Sequence, residues 1–342
     1  MDRFSWALVG PGRIAHRFAE AVQGTPGQQL VRVQGRDAAR AAAFAQQWAR
    51  PDRPVPRAGS ELAELLADPA VDAVYIATPH AQHAAAIEAC LDAGKPVLCE
   101  KPLVATAAQA ERVLALAERR GVFLMEAMWT RLLPLWQALT AWRDATDGPD
   151  GIGELRAVLG SFGYATPFEP EGRVWNPALA GGALLDIGIY LFTATRWALE
   201  REPGTAPEPL WRQVGGRLAP TGVDQRAWAT LGFAGGAVAQ LVCGLDFEGD
   251  NTVQLLGERG SIGVAAPFWG ATRAVLRRPH RPDEWLERPH AINGFEYQIE
   301  EAARCVRAGL RQSPLMPWAE SLALARWLDA ARRDVGVVYP FD

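Results

Sequence analysis

Three stretches of the sequence place anion-binding or reactive residue types at spacings that chemistry can use. The first is Gly10-Pro11-Gly12-Arg13-Ile14-Ala15, which follows an apolar run of strand length at residues 5 to 10. Ile14, Phe18 and Val22 then recur every four residues, so the chain reads strand, glycine turn, helix. In that context Gly10 permits a tight turn, Gly12 lets the backbone approach a pyrophosphate, and Ala15 keeps helix and strand close. Amides at the helix start would face the anion. A tight turn without a ligand is the plain alternative. The second stretch is Glu100-Lys101-Pro102, at the end of a strand, where a lysine can stabilise a developing alkoxide or lower a neighbour's pKa. The third runs from Gly181 to Tyr190, with apolar helical spacing through Trp197. Asp186 and Tyr190 stand four apart in it and so share one helix face. A carboxylate and a phenol on such a helix require a partner, a cavity or solvent; a structural pair buried against a sheet is the other reading.

The elements that must position these residues alternate in type. A strand at Leu30 to Gln34 ends in Gly35-Arg36-Asp37, and Asp37 suits the N-cap of the alanine-rich helix that runs to about Ala49. In NAD-binding units an acidic residue about 20 positions beyond the glycines takes the ribose 2′-hydroxyl. Here Arg36, with Arg40 one turn into the helix, suits a 2′-phosphate, so NADP is expected; NAD stays possible through Asp37. Leu62, Leu65 and Leu66 mark a helix, Ala73 to Ala77 a buried strand, and Gln82 to Ala93 a helix stopped by Gly94. Val97 to Cys99 is a strand, Thr106 with Gln109 opens a helix as a capping box, Gly121 closes it, and Val122 to Met125 is the next strand. This alternation predicts a Rossmann, doubly wound parallel sheet over residues 1–124. Ligands bind such sheets at the carboxyl ends of the strands, where Thr78-Pro79-His80 and His83 also fall. His80 and His83 read as loop-packing or cofactor contacts rather than acid–base groups.

Beyond residue 125 the pattern changes. Leu155 to Tyr164, Arg226 to Phe233, Ala237 to Leu245 and Asn251 to Leu256 are rich in β-formers, which predicts an antiparallel sheet. Residues 125–342 are therefore expected to form an α+β domain with a large, mostly antiparallel sheet that binds substrate. A sheet covered by helices on one side leaves an open face that needs burial, so a homodimer through this sheet is expected.

Together, Gly10-x-Gly12, the Glu100-Lys101-Pro102 turn and Asp186-x-Gly188-x-Tyr190 resemble the glucose-fructose oxidoreductase/inositol dehydrogenase (Gfo/Idh/MocA) family. Leu124-Met125-Glu126-Ala127-Met128-Trp129-Thr130-Arg131, Gly181 to Tyr190 and Thr221-Gly222-Val223-Asp224 are similar to its branch of dihydrodiol and NADP-linked D-xylose dehydrogenases. The similarity runs from residue 5 to Tyr339-Pro340-Phe341-Asp342. Most of the wider family has histidine where Tyr190 stands, whereas this branch has tyrosine.

The resemblance implies that Tyr190 is the general acid/base, Lys101 its electrostatic assistant, and Asp186 the group that positions the substrate hydroxyl. A free phenol has a pKa of about 10, so a nearby ammonium must stabilise the phenolate if it is to accept a proton near neutral pH. The resemblance also implies that Trp129, Phe162, Trp269 and Phe295 line the substrate site. Cofactor contacts are expected from Gly10, Gly12, Arg13, Ile14, Arg36, Arg40, Thr78, Pro79, His83, Glu100 and Lys101. Hydride would pass between NADP and a hydroxyl-bearing carbon of a polyol, sugar or cyclic diol, such as a trans-dihydrodiol or D-xylose. Two other functions occur on this fold: a cofactor-binding sensor, and a glycosidase that uses a tightly held nicotinamide. A sensor needs only the glycine loop, so Lys101, Asp186 and Tyr190 argue against it.

Composition removes other classes. The 342 residues suffice for about two domains. At 49% hydrophobic and 22% charged the chain is of globular type, which excludes a disordered or low-complexity role. A net charge of -4 from 35 basic and 39 acidic residues gives no general attraction to nucleic acid or to an anionic membrane. Cys90, Cys99, Cys243 and Cys305 lie far apart, with no Cys-x-x-Cys and no His pair at ligand spacing, so no metal is expected and a cytoplasmic setting is. Met1-Asp2-Arg3-Phe4 leads directly into Trp6 to Val9, too short a run for a signal-peptide core. No uncharged apolar stretch reaches the roughly 18 residues of a membrane span, so no membrane association is expected.

Overall fold

The computed structural model describes residues 3–146 and 150–342; Met1 and Asp2, where the N-terminal reading begins, lie outside the described residues. Contacts divide the chain into a unit of Met1–Trp129 with Ala291–Trp318 and a unit of Thr130–His290 with Ala319–Asp342. The division thus falls after Trp129 rather than after residue 124, and the segment from Ala291 belongs with the N-terminal part of the chain. The last strand of the first sheet is the reason: Leu124 N–H donates to the Arg311 carbonyl at 3.1 Å, and the Trp318 indole donates to the Leu124 carbonyl at 2.9 Å.

In the first unit, strands β1 (Phe4–Val9), β2 (Gln28–Gln34), β3 (Arg57–Gly59), β4 (Ala73–Ile76), β5 (Val97–Glu100) and β6 (Leu124–Ala127) form a parallel sheet in the order β3-β2-β1-β4-β5-β6. Every residue of β1, β4, β5 and β6 is buried, as parallel strands covered on both faces must be. The connecting helices are α1 (Arg13–Gly24), α2 (Ala38–Gln47), α3 (Leu62–Leu66), α4 (His83–Asp92) and α5 (Ala107–Arg120), and α8 (Glu296–Arg307) packs on α1. The expected caps form. Asp37 accepts from the N–H groups of Ala39 (2.9 Å) and Arg40 (3.1 Å), and Thr106 accepts from Gln109 N–H at 3.2 Å. The Gln109 side chain returns to Ala105 N–H, one residue earlier than a capping box requires. Gly94 and Gly121 end α4 and α5 in the left-handed region.

The second unit holds α6 (Pro134–Asp144), β7 (Leu155–Gly163), α7 (Ile189–Leu199), β8 (Trp211–Leu218), β9 (Asp224–Gly232), β10 (Val238–Gly244), β11 (Val253–Gly257), β12 (Ser261–Val264), β13 (Arg273–Arg277), β14 (Glu284–Glu287) and α9 (Trp318–Val335). Its eight strands run β14-β13-β12-β11-β7-β10-β9-β8. One pair departs from the antiparallel expectation: β10 runs parallel to β7. The chain leaves β7 through α7 and the β8–β9 hairpin, and that crossover returns β10 beside β7 in the same direction.

Helix α7 lies against β7, β10 and β11. By length and mean hydropathy (1.5) the stretch Pro177–Leu199 could cross a membrane, but 89% of its apolar window is buried inside the structure, so its hydrophobicity is spent on the core. The opposite face of the sheet is open. Cross-strand register puts Trp211, Trp228, Val242 and Trp285 on that face, and all four are exposed.

A buried ion network ties these helices together. Arg131, just beyond β6, pairs with Glu200 at 2.6 Å and with Glu320 at 3.4 Å, and Glu320, in the first turn of α9, takes Arg196 of α7 at 3.0 Å. No side chain of the four is more than 3% exposed. Burial pushes the Glu200 carboxyl up, against the pull of the Arg131 charge. Glu320 is the shared anion, so Glu320→Ala leaves two buried guanidinium groups short of a partner. The unfolding free energy should fall by about 3–5 kcal/mol, checked by urea denaturation of both proteins.

Candidate active site

The carboxyl ends of β1, β2 and β4 open onto a cleft of about 590 Å³. Gly10 and Gly12 form its floor. At φ 91°, Gly10 holds a left-handed conformation, and a Cβ there would stand 2.9 Å from the Ala77 carbonyl oxygen. Gly12 is the N-cap of α1 and has no side-chain cap; a Cβ on it would meet open space, and the first turn of α1 carries no acidic residue. The first amides of the helix are thus left to an anion that approaches the glycines. Thr78 lines the same cleft, and its hydroxyl is buried without a hydrogen-bond partner among the described residues. Arg36 and Arg40 reach the other end, while one oxygen of Asp37 is occupied by the α2 cap. Backbone amides, an unsatisfied hydroxyl and two guanidinium groups along one cleft fit a dinucleotide with an extra phosphate.

Beside the cleft, the turn that carries Lys101 is fixed from the core outward. Phe18 stacks on Tyr75 with ring centroids 3.8 Å apart, and the Tyr75 hydroxyl donates to Glu100. Glu100 also accepts Lys101 N–H at 3.3 Å, and the buried Glu126 accepts Leu103 N–H at 2.8 Å. His83 is fully buried, with Nδ1 2.8 Å from the Pro102 carbonyl and Nε2 2.9 Å from that of Thr78. Burial pushes its pKa down, and the Lys101 charge acts in the same direction. His83 therefore links the cleft loop to the lysine turn instead of lining the cleft.

The second unit gathers Asp186 and Tyr190. Residues Leu184–Gly188 form a π-helical turn that runs into α7, so the segment is not the uniform α-helix that the spacing predicts. Wide turns of this kind are frequent at functional positions. Asp186 is clamped: Arg173 donates to both of its oxygens (2.8 and 3.2 Å), and the Tyr164 hydroxyl donates to Oδ2 at 2.8 Å. The buried Tyr190 ring lies 5.8 Å from Phe162 and 6.3 Å from Trp269, which stack on each other at 3.6 Å. Trp269 is held by its carbonyl, which accepts from the Thr130 hydroxyl at 2.7 Å.

Of the expected cofactor residues, Gly10, Gly12, Arg36, Arg40, Thr78 and Pro79 line the cleft; Arg13, Ile14, His83, Glu100 and Lys101 do not. Of the expected substrate residues, Phe162 and Trp269 cluster with Tyr190. Trp129 and Phe295 form a separate pair in the first unit, both buried, with the Arg17 guanidinium 4.9 and 5.0 Å from their rings. Sequence reading missed Tyr164 and Arg173, because nothing in their neighbourhood marks a partner that lies 22 and 13 positions away. It missed Gln34, Leu62 and Gln82 of the cleft for the same reason.

Comparison with known proteins follows this geometry. A model of the oxidoreductase family with an NAD-binding Rossmann fold matches residues 4–128, and a model of the GFO/IDH/MocA C-terminal domain matches 150–263. The trans-1,2-dihydrobenzene-1,2-diol dehydrogenases of Homo sapiens and Macaca fascicularis are each 35% identical to this chain, over 98% of it and 98% of their own length. Among solved structures, a 3-ketoreductase from Actinomadura kijaniata in complex with NADP and TDP-benzene matches with a TM-score of 0.82, 27% identity and 99% coverage of both chains. Other structures of that ketoreductase have a lysine or a tyrosine replaced. The aldose-aldose oxidoreductase of Caulobacter crescentus shares the fold, with a TM-score of 0.83, 24% identity and 97% coverage of both chains.

The cleft generates a cofactor test. Arg36→Ala removes a charge-assisted contact that only a 2′-phosphate can make, so KM for NADP should rise about tenfold or more while KM for NAD stays almost unchanged. Steady-state kinetics with both cofactors check it, and equal losses with the two would contradict the assignment.

Proposed function

Because the chain belongs to the oxidoreductase family with an NAD-binding Rossmann fold and a GFO/IDH/MocA C-terminal domain, we propose that it is an NADP-dependent dehydrogenase/reductase. Its substrate is a sugar or cyclic diol, with trans-dihydrodiols and aldoses such as D-xylose as the compounds to try. One observation carries this reading: a buried phenol and a clamped carboxylate stand four residues apart on an apolar segment, beside a stacked aromatic pair. A nicotinamide held in the cleft would supply hydride transfer at the carbinol carbon. The chain supplies the rest.

In this reading Asp186 accepts the substrate O–H and orients it, because Arg173 and Tyr164 fix the plane of its carboxylate. Tyr190 takes the hydroxyl proton in oxidation and returns it in reduction. Lys101 takes the part that the family resemblance implies, electrostatic stabilisation of the phenolate. Phe162 and Trp269 offer an aromatic surface to the C–H face of a ring. The lysine and tyrosine replaced in the Actinomadura ketoreductase are the same two residue types.

Tyr190→Phe keeps the ring packing and removes the acid/base group. Turnover should fall by about 10² to 10⁴ with little change in cofactor affinity, and Lys101→Met should be severely impaired as well. The double variant should be little worse than the poorer single one. The assay is a panel of aldoses, cyclic polyols and trans-dihydrodiols with NADP and NAD, followed at the nicotinamide absorbance. Near-normal turnover of Tyr190→Phe on the best substrate would overturn the role.

We also infer a homodimer through the open sheet face, which the exposed Trp211, Trp228, Val242 and Trp285 support. Light scattering should give twice the 37.1 kDa chain mass, and Trp228→Glu should shift it toward the single chain. A single-chain mass for the unmodified protein across micromolar concentrations would refute the dimer.

A further inference from the structure

The π-helical turn that carries Asp186 needs something outside itself to hold it, because such turns are rare and short. Two contacts from distant parts of the chain meet at its start. The Tyr339 hydroxyl donates to the Gly181 carbonyl at 2.7 Å. Asp224, the first residue of β9 and fully buried, accepts Leu184 N–H at 2.6 Å through Oδ2. Its other oxygen is buried without a hydrogen-bond partner among the described residues and rests against Gly182. At φ 118°, Gly182 holds a backbone conformation that favours glycine, and a Cβ on it would collide with Asp224 Oδ1. Gly182 thus makes the room that the carboxylate occupies.

We propose that Asp224 is a positioning residue: its buried carboxylate anchors the first amide of the π-helical turn and so sets where Asp186 and Tyr190 stand. The inference rests on the catalytic reading of those two residues given above.

The groups that face Asp224 sharpen the expectation. Cys243 of β10 and Tyr339 both have their pKa pushed up, first by burial and then by the Asp224 charge. Behind Tyr339 stands Arg332, 4.9 Å from its ring and already paired with Asp329 and Asp342. Burial lifts the Asp224 carboxyl to about 7, although the amides of Leu184 and Ala183 pull it down. The charged form is the stronger acceptor at a helix start, so the anchor tightens as pH rises through about 7. Stability moves the other way. A carboxyl raised in the folded state contributes stability that is full below its ordinary value of about 4 and is lost as pH rises through the folded value. A group that merely filled space would not split activity from stability in this manner.

The test uses Asp224→Asn, which keeps an acceptor but cannot ionise, with Asp224→Ala as the stronger variant. Four readouts are taken from about pH 6 to about pH 8: kcat, KM for NADP, thermal stability, and hydrogen exchange of residues 183–190 corrected for intrinsic rates. In the unmodified enzyme kcat should show an acid limb near pH 7, while thermal stability declines up to about pH 7 and levels off above it. Asp224→Asn should lose that limb, lower kcat by about tenfold, leave KM for NADP within about twofold, and exchange faster without the pH dependence. If Asp224→Ala does not fold, the asparagine variant carries the test alone. An unchanged acid limb together with unchanged exchange in Asp224→Asn would overturn the proposal. Exchange needs no substrate, so a failure of the catalytic reading, seen as an unimpaired Tyr190→Phe, would be distinguishable from a failure of the anchor.

Discussion

A carboxylate and a phenol buried on an apolar segment cost free energy unless their polar atoms find partners, and much of the second unit is arranged to meet that cost. Asp186 receives Arg173 and Tyr164 from the chain that precedes it. The start of its π-helical turn receives Asp224 from β9 and Tyr339 from the C-terminal end. Farther along, α7 is held by Arg196, which reaches Glu320 of α9 and through it Arg131. The segment is therefore tied at its beginning, middle and end by side chains from separate parts of the sequence. Such over-determination is what lets an uncommon turn persist.

The first unit solves its problem with the main chain. Its cleft needs no elaborate side-chain set: two glycines, an uncapped helix start and one unsatisfied hydroxyl make an anion site where β1 meets β4. Precision at Lys101 comes from the core. The Phe18–Tyr75 stack carries a hydroxyl to Glu100, and Glu126 and His83 hold the residues that follow. A change in core packing beneath Tyr75 would thus reach the lysine without touching it.

The aromatic residues divide by use. Phe162 and Trp269 stack beside Tyr190. Trp129 and Phe295 instead flank Arg17, with their faces turned to a guanidinium. Trp211, Trp228 and Trp285 stand on the open sheet face. Tryptophan count alone therefore said little about any one of them, because packing, cation contact and surface exposure draw on the same side chain.

Local signals carried the reading where function depends on backbone. Gly10, Gly12 and Ala15 after a strand, Asp37 before a helix, and Gly94 and Gly121 after helices each act within a few residues, and the structure forms each of those turns and caps. Helix and strand periods marked the doubly wound sheet, and β-rich runs marked most of the second sheet. The three-residue β3 was too short to show a period, and the parallel pairing of β7 with β10 is set by a crossover that no local pattern records. The partners of Asp186 and the anchor at Asp224 were likewise beyond reach. Each depends on residues many positions apart that only the packed chain brings within hydrogen-bond distance, whereas a turn or a cap is decided by its own neighbours.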